Sequence, residues 1–359
     1  MTVVRASKKF MRLRKAYSFD DVLLVPRRSK LKSRGEADLS TTVAGVPLDI
    51  PIIAANMSSV CETDMAVAMA DLGGIGIIHR MCSVEEQALM VHDVYHRPCA
   101  DVPKMPPKVG FSIGIGPDWR DRMEACMQYA SLVCLDIAHA HHDRVIELLD
   151  KYFGIYKDYP IIIGQVATRQ AVEDMMRVHS IAKHRDTIAF KTSIGGGSLC
   201  TTRVKTGFGV PTLQAIMDIH AEDSDLCIVG DGGIKAAGDI VKSLAAGASA
   251  VMLGNLLAGT DEAPGNIIKG RDDKLYKVYR GSASFADKAL RGEVTRNVEG
   301  EETLVPYKGS VKRVVSGLLD GVRSGFSYGG GASIADLRDA IEFIEVSIHG
   351  YQESLPHGK

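Results

Sequence analysis

Between Ser193 and Arg203 the chain reads Ser-Ile-Gly-Gly-Gly-Ser-Leu-Cys-Thr-Thr-Arg. Three consecutive glycines, Gly195 to Gly197, let backbone N–H groups approach an anion closely, and Ser198 adds a hydroxyl donor. Cys200 follows at once, which sets a thiol beside a bound phosphorylated ligand. A flexible turn around a buried cysteine would use the same residues. Further on, Asp231 stands in Gly230-Asp231-Gly232-Gly233. A carboxylate flanked by glycines suits a vicinal diol, since each oxygen accepts one ribose hydroxyl. Gly254-Asn255 lies a short way beyond. Any one of these is compatible with an ordinary strand-end turn; three in succession point to a nucleotide site.

The elements that must position them are short apolar runs: PIIAA (51–55), GIGII (74–78), KVGFSIG (108–114), SLVCLDI (131–137), PIIIGQV (160–166), TIAFKTSI (187–194), LCIVGD (226–231) and SAVMLG (249–254). Runs that are apolar throughout fit strands buried on both faces of a parallel sheet. Helical patterns separate most of them, among them ETDMAVAMADLG, VEEQALMVHDVYH, DRVIELLDKYF and KAAGDIVKSLAAG. Eight such alternations predict an α/β chain closed as a single (β/α)₈ TIM barrel, whose active loops follow the C-terminal strand ends. The three loops above follow the sixth, seventh and eighth runs, and the last is where barrels often hold phosphate. No Gly-x-Gly-x-x-Gly opens the first unit, which argues against a Rossmann sheet. Residues 270–309 are polar, Gly-containing and without clear period, as expected of a functional flap after the eighth strand. Residues 311–324 and 333–347 read as closing helices around the turn SYGGGA.

Bulk properties narrow the classes. The 359 residues carry 43 basic and 44 acidic side chains, a net charge of −1 that gives no electrostatic case for nucleic acid or a membrane surface. No apolar run reaches the length of a membrane span, and the N-terminus lacks the apolar core of a signal peptide. Arg5, Lys8, Lys9, Arg12, Arg14 and Lys15 make residues 1–16 a basic leader, solvated or touching a partner. Seven cysteines, at 61, 82, 99, 126, 134, 200 and 227, show no CxxC spacing, so neither a disulfide framework nor zinc is expected. A reducing, cytoplasmic setting is the simplest reading. His139, His141 and His142 cluster after a strand but lack further matching ligands, and no metal is assigned to them.

GGGSLCTTRVKTGFG resembles the catalytic loop of the IMP dehydrogenase/GMP reductase family. So do FDDVLLVP (19–26), DGGIKAAGDIVKSLAAGASAVMLGNLLAGTDEAPG (231–265) and VYRGSAS (278–284). The resemblance runs in order from about residue 17 to 350. It implies a barrel over 17–350 with a flap at about 270–309, a short tail at 351–359, and a homotetramer binding a purine nucleoside monophosphate. It also implies a covalent adduct of Cys200 on purine C2. By motif position Ser198, Gly233, Gly254, Asn255 and Tyr279 fall on phosphate contacts, Asp231 on the ribose, and Met57 near the base. Gly281, Ser282 and Arg296 fall on further substrate contacts. Asp136 and Gln165 match contacts to a nicotinamide cofactor, and Ser324 and Gly325 would reach it from a neighbouring subunit.

Both branches of the family share the thiolate addition and a hydride transfer. The dehydrogenase then needs a base for water, which in that branch resembles an Arg-Tyr pair on a long flap. Here GSASF, KALRGEVTR and NVEG contain no such pair, and the flap is short. With DIAHAHHD (136–143), GQVATRQAV (164–172) and LKSRGEADL (31–39), this resembles GMP reductase, using NADPH, with Thr202 and Glu299 as a proton relay to departing ammonia. No regulatory CBS repeats interrupt 96–108. GGIGIIHR, the DGGI-to-APG stretch and ESLPH are more similar to an IMP dehydrogenase, which would use NAD. A third reading is a catalytically silent nucleotide-binding barrel. A monovalent cation at the Cys200 loop carbonyls is admitted, with no residue pointing to it. Several residues depart from the family pattern: Gln165 for asparagine, Ser58 for aspartate, Gly196 for proline or serine and Ser193 for glycine, the last two predicting a looser loop. Glu301 stands where reductases carry lysine, and a carboxylate there would repel the 2′-phosphate of NADPH.

Overall fold

A computed structural model describes residues 13–97, 106–281, 284 and 300–356. Eight parallel strands close into a barrel. They are β1 (Ile52–Ala54), β2 (Ile75–Ile78), β3 (Val109–Ile113), β4 (Leu132–Asp136), β5 (Ile161–Val166), β6 (Ile188–Thr192), β7 (Cys227–Asp231) and β8 (Ala250–Leu253). Each pairs with its neighbours in sequence, and β8 returns to β1 through Val251 opposite Ile52. These are the eight apolar runs of the sequence, each trimmed by one residue at its start and by at most two at its end.

Burial explains why the runs are apolar on both faces. Inward side chains, including Ile53, Ile75, Ile77, Ile162, Ala189 and Val229, fill the barrel as one cluster. Outward ones, such as Ile52, Phe111, Ile163, Phe190 and Ile228, meet the helices in a second. An antiparallel hairpin, Thr41–Val43 with Val46–Leu48, closes one end and adds Val43, Val46 and Leu48 to the inner cluster. Its partners lie where strands begin: Thr41 Oγ1 donates to Ser249 O (2.8 Å) and Lys108 Nζ to Pro47 O (2.6 Å). The plugged end is therefore the N-terminal one, and the C-terminal mouth is left for chemistry.

Helices are started by local hydrogen bonds that the sequence supplies. Ser83 and Glu86 form a capping box at Val84–His96, with Oγ accepting from Glu86 N–H at 3.1 Å and Oε2 from Ser83 N–H at 2.8 Å. His142 Nδ1 accepts from Arg144 N–H (3.1 Å) at the start of Asp143–Tyr156, and His141 Nε2 pairs with Asp174 (3.0 Å). Two of the three clustered histidines are thus held by structural partners. Among the described residues no group of three or more His, Cys, Asp or Glu could hold a metal ion.

Three expectations are corrected. Part of the polar 270–309 stretch is regular: β9 (Ile268–Lys269), β10 (Leu275–Arg280) and β11 (Glu302–Pro306) form an antiparallel sheet. Its strands show little apolar alternation because the buried positions of β10 are Lys277 and Tyr279, and β11 buries only Val305. The second closing helix covers only Ile334–Ala340. Phe343–Glu345 is a strand, paired with Val22–Leu24, so the two ends of the chain are stitched together. The first closing helix runs further than expected, Val311–Gly329. The basic leader lies mostly outside the described residues, but its end is docked: Arg14 pairs with Asp218 (2.7 Å) and Lys15 with Glu345 (3.1 Å). No helix among the described residues is long and apolar enough to cross a membrane.

Candidate active site

At the C-terminal mouth a cavity of about 740 Å³ is lined by residues at or following the ends of β1, β2 and β4 to β8, and by Ser18–Asp20 near the N-terminus. That volume lies in the range of small-molecule sites, roughly 300–1,000 Å³. The loop after β6 forms one wall. Arg203 ties its two ends together, Nε donating to Ile194 O (3.1 Å) and an Nη to Val210 O (2.8 Å). Cys200 N–H donates to Gly197 O (3.1 Å), and the exposed Cys200 Sγ lies 3.1 Å from Thr202 Oγ1. The other described cysteines are more buried. Burial pushes the thiols of Cys126 and Cys134 up to about 12 and that of Cys82 up to about 11, and it also raises Cys61 and Cys227. They are protonated thiols at neutral pH, and the thiolate is the nucleophile.

The flap meets this loop at both its feet. Gly281 N–H donates to Glu301 O (2.9 Å), Glu301 N–H to Leu199 O (3.2 Å), and Cys200 bridges to Gly300. Ser282, Arg296 and Glu299 lie outside the described residues. Glu301 is exposed on the return side.

A second wall gathers Ser198, Tyr279, Met57 and Gly254. Tyr279 is 3% exposed, with Ser198 Oγ at 3.5 Å and Met57 Sδ at 3.8 Å from its hydroxyl. Burial, with Asp231 nearby, raises its phenol despite the Ser198 contact, so it stays a neutral donor. A Cβ on Gly254 would stand 3.0 Å from that hydroxyl. Asn255 and Gly233 line the same cavity. Lys308 Nζ holds the Asn255 carbonyl at 2.6 Å. Tyr279 is anchored from β10 by Lys277, whose buried Nζ donates to the carbonyls of Thr260 (2.9 Å), Asp261 (3.2 Å) and Ala263 (2.5 Å). Lys277→Met leaves these carbonyls without a donor. A loss of about 1–3 kcal/mol of stability is expected, read by calorimetry as a lower Tm.

The floor is ionic. Lys191, from β6 and 3% exposed, reaches Asp136 Oδ1 at 2.7 Å and Asp231 Oδ2 at 3.2 Å. Gln165 Nε2 also donates to Asp231 Oδ2. Burial by itself would raise Asp136, but the charges of Lys191 and Arg80 and hydrogen bonds from Lys191 and Asn56 outweigh it, holding the carboxyl below the usual range. Burial likewise opposes the ammonium of Lys191, and Asp136 and Asp231 overcome it, raising that group above the ordinary lysine. Gln165 Oε1 and Arg80 Nε are buried without a hydrogen-bond partner among the described residues. An incoming carboxamide N–H would satisfy the first, so this side fits a nicotinamide.

Sequence reading missed Lys191, whose signal was a lone charge inside the apolar run TIAFKTSI. It also missed Phe19 and Asp20 as cavity lining. Ser324 and Gly325 do not reach the cavity within this chain. Ser324 Oγ accepts from Arg34 (2.9 Å) and donates to Asp320 O (2.9 Å), and a Cβ on Gly325 would stand 2.6 Å from Val241.

The site thus joins an exposed cysteine on the sixth loop of a TIM barrel to an ion-paired carboxylate on its seventh strand, an arrangement suited to an enzyme with a thiol nucleophile. The model of the IMP dehydrogenase / GMP reductase domain matches residues 16–357, and the chain belongs to that family. It is 31% identical to an inosine-5′-monophosphate dehydrogenase of Nitrosopumilus maritimus, over 97% of this chain and 99% of the relative. It is 34% identical to a GMP reductase of Lactobacillus gasseri, over 92% of this chain and 95% of the relative. Among solved structures it is similar to a cysteine-to-alanine variant of GMP reductase from Trypanosoma brucei in complex with guanosine 5′-monophosphate. The TM-score is 0.89 and the identity 27%, over 98% of this chain and 100% of that one. Members of the family are oxidoreductases acting on purine nucleotides with nicotinamide cofactors.

Proposed function

We propose that the protein is a GMP reductase, converting GMP to IMP and ammonia with NADPH. The exposed Cys200 Sγ beside Thr202 Oγ1, in the cavity that also holds the Lys191-paired Asp231, carries the covalent chemistry, and the short flap sequence without an Arg-Tyr pair favours the reductase branch. Glycine N–H groups, Ser198 and Tyr279 bind the phosphate, and Asp231 accepts from the ribose hydroxyls. Cys200 adds as thiolate to C2 of the purine. The 2-amino group leaves as ammonia once protonated, through Thr202 with Glu299 behind it, because an amide ion is a poor leaving group. When bound, the nicotinamide supplies the hydride that C2 accepts, after which the C–S bond breaks and IMP departs with the thiolate restored. Asp136 and Gln165 orient the carboxamide and ribose of that cofactor. The homotetramer, in which Ser324 and Gly325 of a neighbouring copy would complete the cofactor site, belongs to the same proposal, as does a cytoplasmic location.

The test is absorbance at 340 nm. Loss of signal with GMP and NADPH, with ammonia released in equal amount, is the expected result. A rise with IMP and NAD instead would assign the dehydrogenase reaction. Silence in both, with nucleotide bound, would make this a sensor.

A further inference from the structure

We propose that Ser193 is a positioning residue for the Cys200 loop, and that Ser193 and Gly196 function only as a pair. Ser193, Thr212 and the Gly196 backbone meet beneath the loop, with Ser193 3% and Thr212 4% exposed. Ser193 Oγ accepts from Gly196 N–H at 3.2 Å and from Thr212 Oγ1 at 3.2 Å. Thr212 Oγ1 also lies 3.4 Å from the carbonyl oxygen of Asp231. The hydroxyl pair therefore joins the loop bearing the thiol to the strand end bearing the ribose carboxylate.

This knot leaves no room at residue 196. A Cβ there would stand 2.4 Å from Ser193 Oγ and 2.6 Å from Thr212 Oγ1. Nor can the loop retreat the other way. The backbone of Gly232 lies so close that a Cβ on it would meet Gly196 C at 2.8 Å and Gly197 N at 2.9 Å. Gly232 has φ +86°, a conformation that glycine adopts without steric cost. The loop is thus clamped between the Gly232 backbone on one side and two hydroxyls on the other. The serine hydroxyl occupies the space that a side chain at 196 would need. A glycine at 196 here tightens the loop, because Ser193 fills the gap and takes its N–H.

The inference rests on the proposed nucleotide site but not on which reaction follows, so its test uses no turnover. Cys200 is alkylated with iodoacetamide, its peptide is followed by mass spectrometry, and the GMP or IMP concentration giving half-protection is measured. Removing the acceptor in Ser193→Ala is expected to raise that concentration about tenfold, because the Gly196 N–H and the Thr212 hydroxyl both lose their buried acceptor. Gly196→Ala, which forces the loop outward, is expected to raise it on the order of 100-fold. The double variant Ser193→Ala/Gly196→Ala relieves the closer contact, which is with the Ser193 hydroxyl, and should recover at least about tenfold over Gly196→Ala alone, since clashing neighbours couple strongly. Recovery is partial because the Thr212 hydroxyl still faces the new methyl. Melting curves verify that each variant folds. Unchanged protection in Ser193→Ala, or single effects that simply multiply in the double variant, would overturn the proposal. Should Gly196→Ala not fold, Ser193→Ala decides the positioning role, and recovery of a melting transition in the double variant decides the pairing. If no nucleotide protects even the parent, it is the nucleotide-site reading that fails, not the pairing.

Discussion

Cys200→Ala will abolish turnover while leaving nucleotide binding intact. The expected loss is at least roughly 10⁴-fold in kcat, the scale seen when a nucleophile that forms the covalent intermediate is removed. A neighbouring residue cannot substitute. Among the described cysteines, Cys61, Cys126 and Cys134 are buried and Cys82 and Cys227 are half-buried, and burial keeps all five as thiols. Binding should survive because the phosphate and ribose partners come from other elements: Tyr279 from β10, Asp231 from β7, Gly254 after β8. Isothermal titration with GMP, run beside the 340 nm assay, separates the two effects. A variant that still turned over within tenfold of the parent would refute covalent catalysis. Loss of binding equal to the loss of rate would mean that Cys200 shapes the pocket and does no chemistry.

Lys191→Met is expected to be nearly as severe, by another route. The ammonium sits between Asp136 and Asp231 at 2.7 and 3.2 Å and is almost fully enclosed. Removing one partner of a buried pair strands the remaining charge, at a cost of about 3–5 kcal/mol. The two carboxylates would then repel each other, and Asp231, the proposed ribose ligand, would turn away. KM for the nucleotide is expected to rise more than kcat falls. The pH dependence follows from Asp136. Its folded pKa lies below its unfolded value, so its ionisation adds stability above about pH 4, which is lost as pH falls through the folded value. Without Lys191 the carboxyl titrates higher and acid unfolding begins at higher pH. Lys191→Arg, which keeps the charge, should retain most of the acid tolerance. If Lys191→Met unfolds at the same pH as the parent, the ammonium is not what holds Asp136 ionised.

The barrel was legible because its strands are apolar on both faces, and few other arrangements bury runs like PIIIGQV and TIAFKTSI completely. Cys200 and Asp231 were legible because glycines surround them at strand ends. The flap sheet was not. Leu275–Arg280 and Glu302–Pro306 pair across a long interval, the first turning Lys277 and Tyr279 inward and the second burying only Val305, so neither strand shows an apolar alternation by itself. Phe343–Glu345 reads as helix in the sequence because its partner, Val22–Leu24, lies at the other end of the chain. Lys191 was overlooked because a charge within an apolar strand becomes meaningful only when two carboxylates on other strands are known to face it. Gly196 and Ser193, read separately as loosening the loop, tighten it together. That relation exists in space and is invisible in either position.

The feet of the flap have a consequence for how such enzymes diverge. Gly281 and Glu301 are joined by a single 2.9 Å hydrogen bond, and Glu301 is joined in turn to Leu199. Whatever is inserted between them begins and ends at the same doorway, next to the thiol. Closing a longer excursion costs only about 0.6 kcal/mol for each doubling of its length. The segment therefore behaves as an exchangeable cassette. On the proposed function, its length and its acid or base can be rewritten without disturbing the barrel, so a change in the second half-reaction need not wait for a new fold.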